Sequence, residues 1–366
     1  MKNTVFFLFV FCSQLSLFAN DGAYYASGNH LVPISETAIS IRKEVLTIRK
    51  VNDKAIEVTV YYEFFNPGKE KELVVGFEAF SPSGDVNGTP KKGLHPYMRD
   101  FTVSLNSTAL RYDVAYVSDS LYAQSGKIVS RKLGDVLSEI DNTNEVNFYY
   151  VYHFKANFKS GLNIVRHTYT YDLSGSVDEH YSFDYILTAA NRWANKGIDD
   201  FTLIVDMGEF ESFHVAKSFF GSAEDWDING IGKAEDAPPR GYDETKDGWL
   251  KFTVRNGDLL FRQLHFTPKG ELMVYSPNYF SADNFTIEET LPFSVYLQDA
   301  IGEPDSELAK KILRNLPFAR RGYVFSNEAL SDYYMNRTDW YLPDPAYVPD
   351  ATLLWKEEQE WIKKWE

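Results

Sequence analysis

Cysteine is almost missing from this chain: there is one, Cys12, and it falls within the first nineteen residues. Those residues have the layout of a cleaved export signal. Lys2 gives a positive start, Val5 to Leu17 is an apolar run rich in Phe and Leu, and Ala19 is a small residue ahead of Asn20-Asp21-Gly22. The run is too short for a membrane-crossing helix, which needs about twenty apolar residues. Cys12 follows Phe9-Val10-Phe11, not the small residue that a lipid-modified cysteine normally follows. Cleavage after Ala19 leaves a working chain, Asn20 to Glu366, without cysteine. That excludes disulfides, a cysteine nucleophile and thiolate metal sites. The expected location is the periplasm or the cell surface.

Catalytic signatures are missing as well. No HExxH, GxSxG, GxxxxGK[ST] or GxGxxG occurs, so the common zinc-protease, serine-hydrolase and nucleotide-binding patterns have no foothold. Positive charge is short: 37 Lys and Arg stand against 52 Asp and Glu, a net charge of −15, and loss of Lys2 with the signal makes it −16. Such a surface repels nucleic acid and anionic head groups and suits cations or neutral glycans. No later run is long and apolar enough to span a membrane, so no transmembrane segment is expected after signal cleavage.

What is abundant is aromatic: 24 Tyr and 27 Phe, residues that favour strands. Ile56, Val58, Val60, Tyr62 and Phe64 alternate with polar neighbours up to Asn66-Pro67-Gly68, the pattern of a half-buried strand ended by a turn. Phe148 to Phe158 and Asn163 to Leu173 read as two long strands joined as a hairpin. With further short strands, residues 20–302 are expected to form one or two β-sandwich domains, with a possible boundary near 190–199. Ser81 to His95 and Gly221 to Gly248 read as loops. From residue 303 the period becomes helical. Asp305 or Ser306 caps a helix carrying Leu308, Ile312 and Leu313, and further helices are expected over Ser326 to Tyr334 and Trp355 to Trp365. The expected fold is mainly β with a small C-terminal α-helical module over 303–366.

That module carries Leu313-Arg314-Asn315, then Phe318-Ala319-Arg320-Arg321-Gly322-Tyr323, then Phe325, Leu330, Tyr333-Tyr334 and Trp340-Tyr341-Leu342-Pro343. The ordered set resembles the YARHG domain, with Phe318 in place of the motif's Tyr and Arg321 in place of its His. The resemblance implies an exported bacterial protein and no established activity. The mature N-terminal stretch, Gly22 to Gly28 and Ile39 to Ile48, is similar to exported bacterial domains of unknown function.

Two constellations carry chemistry. Arg320 and Arg321 beside Tyr323, Trp340 and Tyr341 could grip carboxylates and stack on sugar faces, as peptidoglycan or another envelope glycan would require; the same aromatics are also what a small module needs for a core. Asp225, Asp227 and Asn229, followed by Gly230, match the start of a calcium loop, with Asp236 as the closing acid. A Ca2+ site is one reading and an acidic loop the other. No cofactor is required. Depending on register, His153 and His167 could face each other on the expected hairpin and share a metal, or be simple strand residues. The leading expectation is a non-catalytic cell-envelope protein that binds or organises a wall or surface component; the alternative is an envelope hydrolase with its site in the β region.

Overall fold

The structure, a computed structural model, describes residues 23–24, 30–33, 38–84, 86–118, 128–143, 147–239, 247–295 and 300–366. The signal-like segment lies outside them. Strand accounts for 46% and helix for 18%, so the fold is mainly β with helices gathered at the C-terminal end. The first half contains β1 (Ala23–Tyr24), β2 (His30–Pro33), β3 (Ser40–Asn52), β4 (Ala55–Asn66), β5 (Lys71–Phe80), β6 (Ser83–Gly84), β7 (Met98–Leu105), β8 (Thr108–Ala109), β9 (Asp113–Val117), α1 (Leu133–Thr143), β10 (Tyr149–Phe158) and β11 (Gly161–Asp172). The second contains β12 (Glu179–Tyr185), β13 (Ile198–Asp206), β14 (Glu211–Ala216), β15 (Trp226–Ala237), β16 (Trp249–Phe266), β17 (Leu272–Pro277), β18 (Asn284–Phe285), β19 (Glu303–Pro304), α2 (Glu307–Arg320), α3 (Glu328–Asn336) and α4 (Lys356–Lys364).

A four-stranded sheet runs β2-β5-β10-β9. An eleven-stranded sheet runs β12-β17-β14-β16-β13-β3-β4-β11-β7-β8, with β15 added along β16. Rings from both sheets meet between them. Phe77 of β5 lies 5.1 Å from Phe101 of β7 and 5.7 Å from His167 of β11, and Tyr152 of β10 lies 5.0 Å from Phe101. The alternation seen in β4 holds: Ile56, Val58, Val60, Tyr62 and Phe64 are all buried. Asn66 ends the strand by accepting from Gly68 N at 3.0 Å, an Asx turn.

The hairpin expectation is corrected. β10 pairs with β5 and β9, whereas β11 pairs with β4 and β7, so the short link between them crosses from one sheet to the other. Asn163 holds that crossing: its amide accepts from Lys159 N and donates to the carbonyls of Lys159 and Gly161. The Gly221–Gly248 loop is corrected too, because Trp226–Ala237 is a strand paired with β16 from end to end. It reads as a loop because only Trp226 of its twelve residues is buried, and an edge strand with little to bury shows no alternation. One hydrophobic core runs from Ile39 to Val274 and crosses residues 190–199, where Trp193 packs 4.3 Å from Phe64.

A second core belongs to the C-terminal end. It joins Ile312, Leu313 and Leu316 of α2 to Tyr333 and Tyr334 of α3 and Trp361 of α4, and takes in Leu291 and Phe293 from upstream. Ser306 caps α2 by accepting from Ala309 N at 3.2 Å. Pro317 interrupts the helix and deprives the Leu313 carbonyl of its usual donor. The Trp361 indole N–H takes that place at 2.6 Å, so a helix defect becomes the seat of the last helix. Among the described residues no helix is long and apolar enough to cross a membrane.

Candidate functional site

β13 and β14 pair along the same edge of β16, β13 with its C-terminal half and β14 with its N-terminal half. Between them Met207–Phe210 leaves the ladder. Past this break the flanking partners differ: β3 beside β13, β17 beside β14. The long sheet therefore forks, and the C-terminal module sits in the fork. Phe210 adopts φ of 57°, unusual for a bulky residue, with its N–H given to the Arg255 carbonyl at 3.0 Å. That turn drives its ring into the module's core.

Both arginines of the module's motif meet this ring. The Arg320 guanidinium lies 4.8 Å from the Phe210 centroid and 5.8 Å from Phe293. It is 1% exposed, and its three nitrogens have no hydrogen-bond partner among the described residues. Burial brings its pKa down to about 9. Arg321 also lies 4.8 Å from Phe210, and forks onto the buried Glu358 carboxylate through two bonds of 2.7 Å. Gly322 has φ of 89°, and a Cβ there would sit 2.5 Å from the Leu342 carbonyl and 2.7 Å from the Arg255 guanidinium. Only glycine fits at this point, where β16 touches the module. Arg255 in turn donates to the Leu342 carbonyl at 2.5 Å. Nearby, Glu211 takes the Lys50 ammonium at 2.5 Å, and burial pushes its carboxyl up to about 7 despite that partner.

Beside this contact lies a cavity of about 330 Å³. Ser212 and His214 of β14 and Lys251 of β16 line its sheet side; Leu291, Phe293 and Trp340 line its module side. His214 stacks flat on Tyr275 at 4.6 Å. Ser212 N donates to Ser294 Oγ at 3.1 Å, stitching the two walls. Lys251 and Asp339 form an ion pair across them. The polar groups with bonds on the rim are tied down: Tyr279 donates to Glu289 at 3.0 Å, Thr290 to the Arg337 carbonyl at 2.9 Å. The result is a mostly apolar hollow with one charged pair, built half from the sheet and half from the module.

Residues 286–366 are a YARHG domain. Its start at 286, ahead of the 303 read from the sequence, agrees with Leu291 and Phe293 belonging to its core. No curated protein matches the chain. Solved structures similar to it include a Legionella pneumophila protein provisionally described as nutrient-binding, at 16% identity over 95% of this chain and 100% of that one, with a TM-score of 0.47. Another is an M1 zinc metallopeptidase from Deinococcus radiodurans, at 8% identity over 77% of this chain and 54% of that one, with a TM-score of 0.25.

The five residues expected to bind ligand are packed within the YARHG domain, Arg320 and Trp340 buried and Arg321, Tyr323 and Tyr341 half-buried. Arg320 and Arg321 grip Phe210 and Glu358. Tyr341 donates to the Tyr323 carbonyl at 2.6 Å. Trp340 is buried with its N–H on the Leu291 carbonyl at 2.6 Å, and reaches the cavity wall. The calcium set is not brought together. Asp225 closes a turn by accepting from Gly221 N and Ser222 N, and Asp236 pairs with Lys217 at 2.6 Å. The strand rise separates Asp227 from Asp236 by roughly 30 Å. Asn229 bonds to Asp258, and Gly230 permits close approach to Asn256 and Gly257 rather than an ion-wrapping turn. Among the described residues no group of three or more His, Cys, Asp or Glu is placed to hold a metal. His153 and His167 lie in different sheets, and His167 faces the interior, where burial lowers its pKa to about 3. Sequence reading missed Phe210, His214, Lys251 and Glu358. Ser212 and His214 alternate with the buried Phe213 and Val215, a period-two signal too short to stand out.

Proposed function

We propose that this is an exported, non-catalytic envelope protein that holds a small ligand in the cavity between its β region and its YARHG domain. The observation that carries this reading is the cavity itself: a face of the long sheet and the core of the YARHG domain supply opposite walls of one hollow. Ligand sites favour such joints, and about 330 Å³ is at the small end of the usual range of about 300–1,000 Å³. The size suits one compact molecule, a sugar ring or an amino-acid-sized unit, rather than a polymer chain. The signal-like leader and the YARHG domain support export. The missing catalytic motifs, and rim hydroxyls committed to neighbouring carbonyls and carboxylates, support binding over turnover.

The test is equilibrium dialysis of the chain from Asn20 to Glu366 against a hydrolysate of isolated cell envelope, with the retained molecule identified by mass. Thr290 is exposed on the rim, so Thr290→Trp should block the mouth without disturbing the cores. We expect a small molecule retained by the parent and lost in the variant. Equal retention by both would move the site away from the cavity, and retention by neither would end the reading.

A further inference from the structure

Resting on that reading, we propose that the cavity takes the zwitterionic head of a free α-amino acid with a large apolar side chain. The Lys251–Asp339 pair bridges the two walls, with side chains 22% and 59% exposed. A pair this open adds little to folding, so exchanging it for ligand contacts costs the protein little. Its members present one ammonium and one carboxylate side by side. An α-amino acid carries the complementary groups on a single carbon, so its carboxylate reaches Lys251 while its ammonium reaches Asp339. A phosphate, or a simple carboxylic acid, would satisfy Lys251 and leave Asp339 repelled; a simple amine would do the reverse.

The rest of the hollow fits the body of such a ligand. Leu291, Pro292, Phe293 and Trp340 supply apolar surface. Trp340 keeps its indole N–H on the Leu291 carbonyl and Tyr279 keeps its hydroxyl on Glu289, so these rings are not left with free donors. A large aliphatic or aromatic side chain covered by these walls buries its own apolar surface and brings no polar atom that needs a partner. A sugar ring, with hydroxyls on every side, would meet few groups free to bond them.

Titration calorimetry on the chain from Asn20 to Glu366 tests this with four probes: L-phenylalanine, L-leucine, L-phenylalaninamide, which lacks the carboxylate, and N-acetyl-L-phenylalanine, which lacks the ammonium. We expect the two free amino acids to bind and each blocked analogue to bind about tenfold or more weakly. Lys251→Met should abolish the preference for acid over amide, and Asp339→Asn the preference for free over acetylated amine. Each variant should keep the parent's melting temperature within a few degrees, because the pair is exposed. Analogues that bind as tightly as L-phenylalanine would overturn the head-group assignment. So would failure of all four probes with a hydrolysate ligand still retained by the cavity; the pocket reading then stands. If the hydrolysate ligand is absent as well, both fall.

Discussion

Arg320 and Arg321 are neighbours with opposite energetic roles. Arg321 shares two charge-assisted bonds with Glu358, whose side chain is 1% exposed. Removing the cation strands a buried carboxylate, a change of about 3–5 kcal/mol. Arg320 has no hydrogen bond among the described residues, and its burial is offset by the rings of Phe210 and Phe293 and by the nearby charge of Glu358, which Arg321 already pairs. Replacing such a group by an apolar one of similar length is often neutral or stabilising. In urea unfolding, Arg321→Met is therefore expected to lose about 3 kcal/mol or more, and Arg320→Met to change stability by less than about 1 kcal/mol or to gain. Equal losses in the two variants would contradict this division.

At the scale of elements, the join between α2 and α4 rests on a missing hydrogen. Pro317 frees the Leu313 carbonyl, and Trp361 fills it. Trp361→Phe leaves that acceptor empty and should cost about 1–3 kcal/mol more in the parent than in the Pro317→Ala background, where a backbone N–H is restored. A double-mutant cycle showing no coupling would refute the link. Three of the four proposed calcium ligands are held apart by the extended backbone of β15 and Asp225 closes the turn before it, so millimolar calcium should leave the melting temperature unchanged. A rise that disappears in Asp225→Ala would restore the ion. These two elements also mark the limit of what the sequence shows. Ile56 to Phe64 announced β4 because one face is buried and the other wet, and Ser306 announced α2 through its cap. The partner of each strand was not legible: nothing in Phe148 to Leu173 distinguishes a hairpin from a crossing between sheets, since both bury the same alternate residues. β15 was hidden because it buries little, and β14 because six residues carry a weak period. The cavity was hidden for a further reason, since its two walls are about eighty residues apart in the chain and only folding brings Ser212 to Ser294.

At the scale of the whole molecule, stability should fall as pH rises through the neutral range. Glu44 of β3 is 3% exposed, and burial raises its pKa to about 8, Tyr62 opposing through a hydrogen bond. Burial lifts Glu211 to about 7 and Asp184 to about 6. A carboxyl whose folded pKa is raised holds its proton in the native state after the unfolded chain has released it. Its contribution is therefore lost as pH climbs from its unfolded value, near 4.5 for Glu44, toward 8. His167 acts in the other direction: neutral when folded, it costs stability as pH falls from about 6.5 toward 3. Above pH 6.5 the contribution of His167 fades, and Glu44 by itself contributes up to about 1.4 kcal/mol per pH unit. Glu44→Gln should flatten the decline between pH 6.5 and 8 in thermal melts; an unchanged slope would remove Glu44 from the account. Phe210 sets a last condition. Its ring belongs by sequence to the β region and by packing to the YARHG domain, so the last eighty residues do not own all of their interior. Cut free or grafted elsewhere, this domain would carry an open socket with two arginines around it, and its portability would be limited to hosts that can lend it a ring.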